Sequence, residues 1–178
     1  MPGDSFAGTL AQLAAQVGRA AVRVLKDDAG WLPLSLPAQR VLLVTPSTMH
    51  AGTAAGNGLS LLGELLAARG IAVQEEFYIP DAPWSVELAR SAAMAATPGV
   101  DAVVVVTWNA YLRQAQYGDT AQETLVMALL ASGRAQGQPV VVVFGQLPYD
   151  AERVPDAPVQ IAMYGDMAGQ VEGVVEVL

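Results

Sequence analysis

Two valine-rich segments, Asp101-Ala-Val-Val-Val-Val-Thr107 and Pro139-Val-Val-Val-Val-Phe144, decide the fold of this chain. Each contains four consecutive valines, so neither face of the corresponding strand carries the polar side chains that water favours. Strands that are apolar on both faces are typical of a parallel sheet with helices packed on each side. The two segments therefore predict a layered α/β domain around a central parallel sheet.

The neighbouring segments alternate between strand and helix patterns. We expect strands over residues 41–45, 71–78, 101–107, 139–144 and 159–163, and helices over 58–69, 83–96, 119–134 and 167–178. This alternation favours right-handed crossovers between parallel strands. The predicted fold is a three-layer αβα sandwich with a mostly parallel, doubly wound sheet of about five to six strands.

The residues before the first predicted strand differ in pattern. Apolar side chains recur every three or four positions from Ser5 to Lys26, which predicts an amphipathic helix. Pro33 and Pro37 then favour an extended connector. We therefore divide the single domain into an N-terminal helix and connector, residues 1–36, and the αβα part, residues 37–178.

The composition excludes several classes of function. The 178 residues include no cysteine and one histidine, so thiolate metal sites, cysteine nucleophiles and multi-histidine zinc sites are excluded, and we expect no metal or cofactor. A net charge of −8 with a single lysine argues against nucleic acid and anionic membranes as partners.

The apolar character of the chain points to a protein partner. Only 15% of the residues are charged, compared with about 25% in typical domains. No apolar stretch approaches the ~20 residues of a membrane span, and the N-terminus lacks the basic region of a secretory signal, so we expect a cytoplasmic protein. An apolar, weakly charged domain of this kind is expected to pack on another protein surface.

Ligands of doubly wound folds bind beyond the carboxyl ends of the strands, so a site is expected in the loops there. Gly56, Gly58 and Gly63 do not have the spacing of the dinucleotide fingerprint, and the chain has neither a Walker loop nor a G-x-S-x-G elbow. Asp119 and Asp150 suit a helix cap and a turn better than a catalytic pair. We therefore predict no catalytic residue.

Six residues near these strand ends are candidates for contact with a ligand or a partner: Ser47, His50, Trp108, Asn109, Tyr149 and Tyr164. An imidazole is the side chain that titrates near neutral pH, which makes the histidine worth testing. The tryptophan and the asparagine directly follow a strand, where they suit sugar recognition or a domain interface. The interface is the favoured interpretation, since Trp and Tyr are enriched at interfaces.

Several segments resemble the C-terminal domain of family 3 glycoside hydrolases, in particular its β-N-acetylhexosaminidase-like branch. They are AAVRVLKDDAGWLPL at 20–34, RVLLVTP at 40–46, DAVVVVTWNA at 101–110, QPVVVVFGQLPYD at 138–150 and AMYG at 162–165. The resemblance covers nearly the whole chain, and the LPL and PYD patterns are its more specific parts.

The resemblance implies a division of labour. The family's nucleophilic aspartate belongs to an N-terminal (β/α)₈ barrel, for which this chain has no room, since such a barrel needs about 250 residues. In the β-glucosidase branch an acidic stretch of the second domain can supply the acid/base glutamate, but residues 111–118 carry no carboxylate here. In the hexosaminidase branch the proton-transfer residues lie on the barrel, so no catalytic residue is carried over.

The expected function is therefore that of a structural or accessory domain, inactive alone in glycoside hydrolysis, whose partner is a (β/α)₈ barrel of the same or a neighbouring chain. A homo-oligomer is a further expectation. The alternative is a small-molecule or sugar-binding module that uses the cleft at the strand carboxyl ends. A free-standing enzyme with an unrecognised site is a third hypothesis, which the scarcity of His, Cys and Lys disfavours.

Overall fold

A computed structural model describes residues 3–34, 40–50 and 58–178, with residues 3–7 described as helical backbone alone. It contains one six-stranded sheet with the strand order β1-β6-β5-β4-β2-β3. Strands β2 to β6 run parallel, and β1 pairs antiparallel with β6 at one edge. The strands are β1 (Arg23–Asp27), β2 (Arg40–Pro46), β3 (Ala72–Tyr78), β4 (Ala102–Thr107), β5 (Val140–Phe144) and β6 (Val159–Ala162).

Helices cover both faces of the sheet, which confirms the predicted layered α/β fold. The helices are α1 (Gly3–Ala21), α2 (Leu61–Ala68), α3 (Pro83–Ala96), α4 (Ala110–Tyr117), α5 (Ala121–Gln136) and α6 (Ala168–Val177). One hydrophobic core lies between the sheet and helices α2 and α6, and the other lies between the sheet and helices α3 and α5.

The valine strands form the centre of both cores. Val103 to Val106 and Val141 to Val143 are completely buried. Their side chains point alternately to the two faces, so Val104 joins the first core and Val105 the second. Burial of a valine side chain contributes about 1.5–3 kcal/mol, so this pair of strands supplies much of the driving force for folding.

The predicted helix over Ser5 to Lys26 is wrong in its last part. Helix α1 ends at Ala21, and strand β1 follows after Val22. The reason is a contact between distant segments, since β1 pairs with β6 from Arg23 opposite Ala162 to Asp27 opposite Val159. The hydrogen bonds of this pairing outweigh the helical periodicity that residues 22–26 also show. The N-terminal segment is thus built into the sheet.

The connector after β1 agrees with the predicted absence of helix over the part that the structure describes. Residues 31–34 form no helix or strand, and the amide of Leu34 donates a hydrogen bond to the carbonyl of Leu178 over 2.6 Å. Pro37 lies outside the described residues.

Two loop boundaries also differ from expectation. The segment between Trp108 and Gly118, expected as a loop, contains the two-turn helix α4. Its ends are set by left-handed backbone, with φ of 55° at Asn109 and 66° at Gly118. The next helix begins at Ala121 rather than at Asp119, although an Asp119 carboxylate oxygen still accepts the Ala121 amide over 3.0 Å.

Helices α1 and α6 pack closely because glycines line their contact. A Cβ atom on Gly169 would lie 2.5 Å from the carbonyl oxygen of Ala15, and a Cβ atom on Gly18 would lie 2.9 Å from the amide nitrogen of Gln170. Both neighbouring atoms are backbone, so they cannot move aside without shifting a helix.

Gly169→Ala is therefore expected to lower the free energy of unfolding by about 1–3 kcal/mol, because it forces the two helices apart. Gly8→Ala is the matched control: nothing lies within 4 Å of its Cβ position, and alanine is the better helix former, so it should raise stability by about 0.5–1 kcal/mol. Urea unfolding followed by circular dichroism measures both. Equal stability of the Gly169→Ala variant and the parent would contradict this packing.

Candidate functional site

The sheet topology places a candidate site at the carboxyl ends of β2 to β6, here called the carboxyl edge. The chain leaves β2 for β3 on one side and then crosses to β4 on the other side. In doubly wound folds a crevice for ligands opens where the strand order reverses in this way. The segments after β2 and β4, which include His50 and Asn109, therefore flank the expected crevice.

A buried carboxylate organises the start of this edge. Glu75 on β3 has a side chain only 1% exposed. One carboxylate oxygen, Oε1, accepts the hydroxyl of Thr45 over 2.5 Å, and the other, Oε2, accepts the amide of Ser60 over 2.8 Å. Gly63 provides the space, since a Cβ atom there would lie 2.6 Å from Oε2. The carboxylate thus ties the end of β2 to the start of α2.

His50, one of the six candidates, joins this cluster. Its Nε2 lies 3.1 Å from the Thr45 hydroxyl oxygen and 3.5 Å from Glu75 Oε1, and its ring packs 5.1 Å from that of Phe77. Because the Thr45 proton goes to Glu75, the imidazole is the donor to Thr45. Both contacts are made by the same ring nitrogen, so the imidazole does not relay a proton between them as in a catalytic triad.

A second hydrogen-bond network joins the carboxyl ends of β3 and β4 to helix α5. The side-chain amide of Gln122 accepts the Trp108 amide over 2.8 Å and donates to the Trp108 carbonyl over 3.0 Å. The buried Tyr78 hydroxyl lies 2.7 Å from the Val106 carbonyl and 2.9 Å from the Gln122 oxygen. Burial raises the pKa of the Tyr78 phenol well above its ordinary value, and the negative charge of Asp150 raises it further.

Asp150 has a structural role in this network. It is 1% exposed, and its two carboxylate oxygens accept the Thr107 hydroxyl over 2.7 Å and the Tyr111 amide over 2.9 Å. Tyr111 stands in the first turn of α4, whose amides have no partner within the helix. The carboxylate therefore fixes α4 to the end of β4, and its oxygens are occupied by donors from the chain itself.

Trp108 and Asn109 are adjacent in sequence, but their side chains have different surroundings. The Trp108 indole is only 9% exposed and lies on Gly145, where a Cβ atom would come within 2.6 Å of the ring. The tryptophan therefore belongs largely to the core, and its contact with a ligand or partner stays a prediction. Asn109 is partly buried and has left-handed backbone, with φ of 55°.

Asn109 lines an open cleft of about 490 Å³ at the carboxyl edge. Its Oδ1 is buried and has no hydrogen-bond partner within the described ranges. Arg113, also in the lining, pairs with Asp81, donates to Asp119 over 2.9 Å, and lies 5.7 Å from the centre of the Tyr117 ring. The cleft is lined by Asp81, Asn109, Leu112, Arg113, Gln116 and Tyr117.

The other three candidates lie elsewhere along the same edge. Ser47 begins the single 3₁₀ turn after β2 and is partly buried. Tyr149 is 54% exposed, with its ring 5.9 Å from that of Tyr111. Tyr164 follows β6 in left-handed conformation and is 41% exposed. The structure therefore spreads the six candidates along the edge and brings only Asn109 to the cleft.

Exposed aromatic side chains concentrate on this edge. Among the residues whose side chains are described, every strongly exposed aromatic stands at a strand carboxyl end or in the segment that follows one. These residues, here called the aromatic rim, are Phe77, Trp84, Tyr117, Tyr149 and Tyr164. Sequence reasoning missed Phe77 and Trp84, because a strand residue and a helix residue are expected to face the core when they are aromatic.

The described residues contain no group of three or more His, Asp or Glu side chains arranged to hold a metal ion. No described helix is both long enough and apolar enough to cross a membrane.

Comparison with solved structures shows the same fold in much longer chains. The chain is similar to a glycoside hydrolase family 3 β-N-acetylglucosaminidase from Paenibacillus sp. str. FPU-7, with a TM-score of 0.71 and 20% identity over 92% of this chain and 29% of that one. It is also similar to a family 3 β-glucosidase from Bifidobacterium adolescentis, with a TM-score of 0.68 and 16% identity over 96% and 27%.

A β-glucosidase from Listeria innocua matches with a TM-score of 0.60 and 18% identity over 91% of this chain and 24% of that one. The chain thus spans less than a third of the length of these three structures. No protein-family model matches the sequence. No curated protein sequence matches it either.

The buried Tyr78 phenol predicts a loss of stability in alkali. The unfolded chain ionises tyrosine above about pH 10, whereas the folded protein holds the Tyr78 proton to higher pH. The unfolded state then binds fewer protons, so the free energy of unfolding falls as the pH rises beyond about 10. Chemical unfolding measured between about pH 8 and 11 tests this dependence.

Tyr78→Phe should lose about 0.5–1.5 kcal/mol at neutral pH, through its missing hydrogen bond, and show a weaker decline in alkali. Tyr149→Phe, which removes an exposed hydroxyl, is the control and should decline as the parent does. A Tyr78→Phe variant with the parent's full alkaline decline would show that another group is responsible.

Proposed function

We propose that this chain is the accessory C-terminal αβα domain of a family 3 glycoside hydrolase of the β-N-acetylhexosaminidase-like branch. In this proposal it does not hydrolyse glycosides alone. It packs its aromatic rim against a (β/α)₈ barrel, of the same or a neighbouring chain, that carries the nucleophile. The observation that carries the proposal is the combination, at one edge, of exposed aromatic side chains with three largely buried carboxylates, Glu75, Asp119 and Asp150, that are engaged inside the domain.

The engaged carboxylates argue against catalysis by this domain alone. A glycosidase needs two carboxyl groups about 5–10 Å apart with access to the sugar. At the carboxyl edge Glu75 and Asp150 are buried and accept hydrogen bonds from hydroxyl and amide groups of the chain. Asp119 is only 12% exposed and pairs with Arg113. These three acids hold the strand ends together and are not presented to a substrate.

The aromatic rim supports a protein partner. Trp84 is 68% exposed, Tyr117 72% and Phe77 58%, and monomeric domains seldom leave so much aromatic surface in water at one edge. Aromatic side chains are enriched where protein surfaces meet. The rim also lies at the edge where folds of this class are expected to carry their sites, so a barrel docked there would place its own catalytic groups beside the cleft.

The β-N-acetylhexosaminidase-like branch is supported by three observations. The PYD pattern at 148–150 resembles that branch, and its Asp150 secures α4 to β4. The similar structure from Paenibacillus, a β-N-acetylglucosaminidase, has the highest TM-score of the three compared. Helix α4 occupies the segment where the β-glucosidase branch can carry its acid/base glutamate, and this helix contains no carboxylate.

The test uses a chromogenic N-acetylglucosaminide. The full chain alone should give no hydrolysis above the rate without protein, whereas the barrel encoded beside or upstream of it should gain activity when the chain is added. Trp84→Ala should weaken that gain at least tenfold, while Met127→Ala, which removes an exposed side chain on α5, should leave it unchanged. Appreciable hydrolysis by the chain alone would overturn the division of labour.

A second candidate function, a sugar-binding module, is favoured by the cleft at Asn109. A buried amide oxygen without a partner is uncommon and is satisfied when a ligand hydroxyl or amide donates to it. Tyr117, Asp81 and the Arg113 that contacts both line the same cleft, and aromatic rings and charged groups of this kind are what sugars bind to. This function would require no barrel.

N-acetylglucosamine at millimolar concentration should then raise the melting temperature of the chain by a few degrees. Asn109→Gly should abolish the shift, since glycine keeps the left-handed backbone and lacks the amide. Gly118→Asn, at the opposite end of α4, is a backbone-tolerant control that should retain it. No shift with the parent chain would exclude binding of this sugar.

A further inference from the structure

Helix α1 has an apolar face that nothing in the described structure covers. Leu10, Leu13 and Val17 are 50%, 54% and 62% exposed and follow one another at spacings of three and four residues. The opposite face of the helix meets α6, through Ala15 and Gly18. The helix thus buries one stripe against its own domain and leaves a second apolar stripe on the outside.

The described residues in the first half of α1, from Gly8 to Ala14, extend beyond the contact of this helix with α6. Every residue from Gly8 to Ala14 is exposed, and from Gly8 onward the first buried residue of the helix is Gly18. No charged residue occurs between Ser5 and Gly18. Helices exposed to water usually carry charges on their outer face, and short helices without tertiary support are marginally stable. The stripe is therefore expected to be covered in solution.

We propose that the stripe pairs with the same stripe of a second copy of this chain, as an antiparallel pair of α1 helices across a two-fold axis. The proposal goes beyond the accessory function above and does not depend on it. The spacing of the apolar positions is that of an a/d seam, with position 6, Leu10, Leu13, Val17 and Ala20 alternating between intervals of four and three.

The sequence of α1 is complementary to itself in the antiparallel direction. If the two-fold axis passes between Ala11 and Gln12, Leu10 of one copy lies opposite Leu13 of the other, and position 6 lies opposite Val17. Such two-fold self-complementarity is what an isologous dimer requires.

The distribution of charge favours this surface over the rest of the molecule for a contact between copies. Residues 1–40 contain four basic and three acidic residues and so have a net charge of +1. The remaining residues must then carry −9 to give the total of −8. Two acidic copies repel each other least where they meet through their N-terminal helices.

The dimer is expected to be weak. A helix of 19 residues is about 28 Å long, so one helix pair buries an area at the low end of specific interfaces. We expect a dissociation constant in the micromolar range. Sedimentation velocity of the full chain should therefore show the weight-average mass rising from 18.5 kDa toward twice that value as the concentration increases through this range.

Variants distinguish this surface from others. Leu13→Lys should remain monomeric at every concentration, whereas Leu88→Lys, at an exposed leucine of α3, should dimerise like the parent. Circular dichroism and unfolding midpoints confirm that both variants are folded, so loss of the dimer is not loss of the fold. A monomeric parent, or an equally strong dimer in the Leu13→Lys variant, would overturn the proposal.

A mixing experiment tests the antiparallel arrangement. Leu10→Lys and Leu13→Glu should each be monomeric, but their equimolar mixture should form a heterodimer, because Lys at position 10 of one chain then faces Glu at position 13 of the other. A parallel arrangement would place equal positions opposite one another and would not pair these charges. Failure of the mixture to associate, with a dimeric parent, would overturn the antiparallel geometry.

Discussion

Burial of strands β4 and β5 on both faces is the constraint on which the rest of the structure depends. Once the valines at 103–106 and 141–143 are enclosed by two helical layers, polar groups at the strand ends have little access to water. The carboxyl edge meets this constraint with side chains: Gln122 serves both backbone groups of Trp108, and Asp150 serves Thr107 and α4. These buried polar side chains, Gln122 and Asp150, therefore complete the fold by satisfying backbone and hydroxyl groups at the strand ends.

The same constraint explains why the candidate site is divided into an inner and an outer part. The inner part consists of buried groups whose hydrogen bonds are made within the chain, such as Glu75 with Thr45 and Ser60. The outer part consists of aromatic side chains and the cleft at Asn109, which face solvent. A partner or ligand would therefore meet a rigid, preorganised surface, because the inner groups hold the loops that carry the outer ones.

The sequence predicts the sheet well because double-sided valine runs have few alternative interpretations. It fails at Arg23–Asp27, where a helical repeat continues into residues that long-range pairing with β6 turns into a strand. It also gives no sign that the Glu75 carboxylate and the Trp108 indole are buried. The burial of that carboxylate depends on Gly63 and Ser60, and the burial of that indole depends on Gly145. Contacts between distant segments of this kind have no local signature in the sequence.

Strand β1 is an outer edge of the sheet, and its ladder to β6 is interrupted between Val24 and Lys26, where Leu25 is inserted without a partner. Such a bulge breaks the even row of amide and carbonyl groups that a foreign strand would need for pairing. An even edge strand in a valine-rich sheet would be prone to pair with strands of other molecules. The irregular edge thus disfavours backbone pairing of β1 with a strand of another molecule.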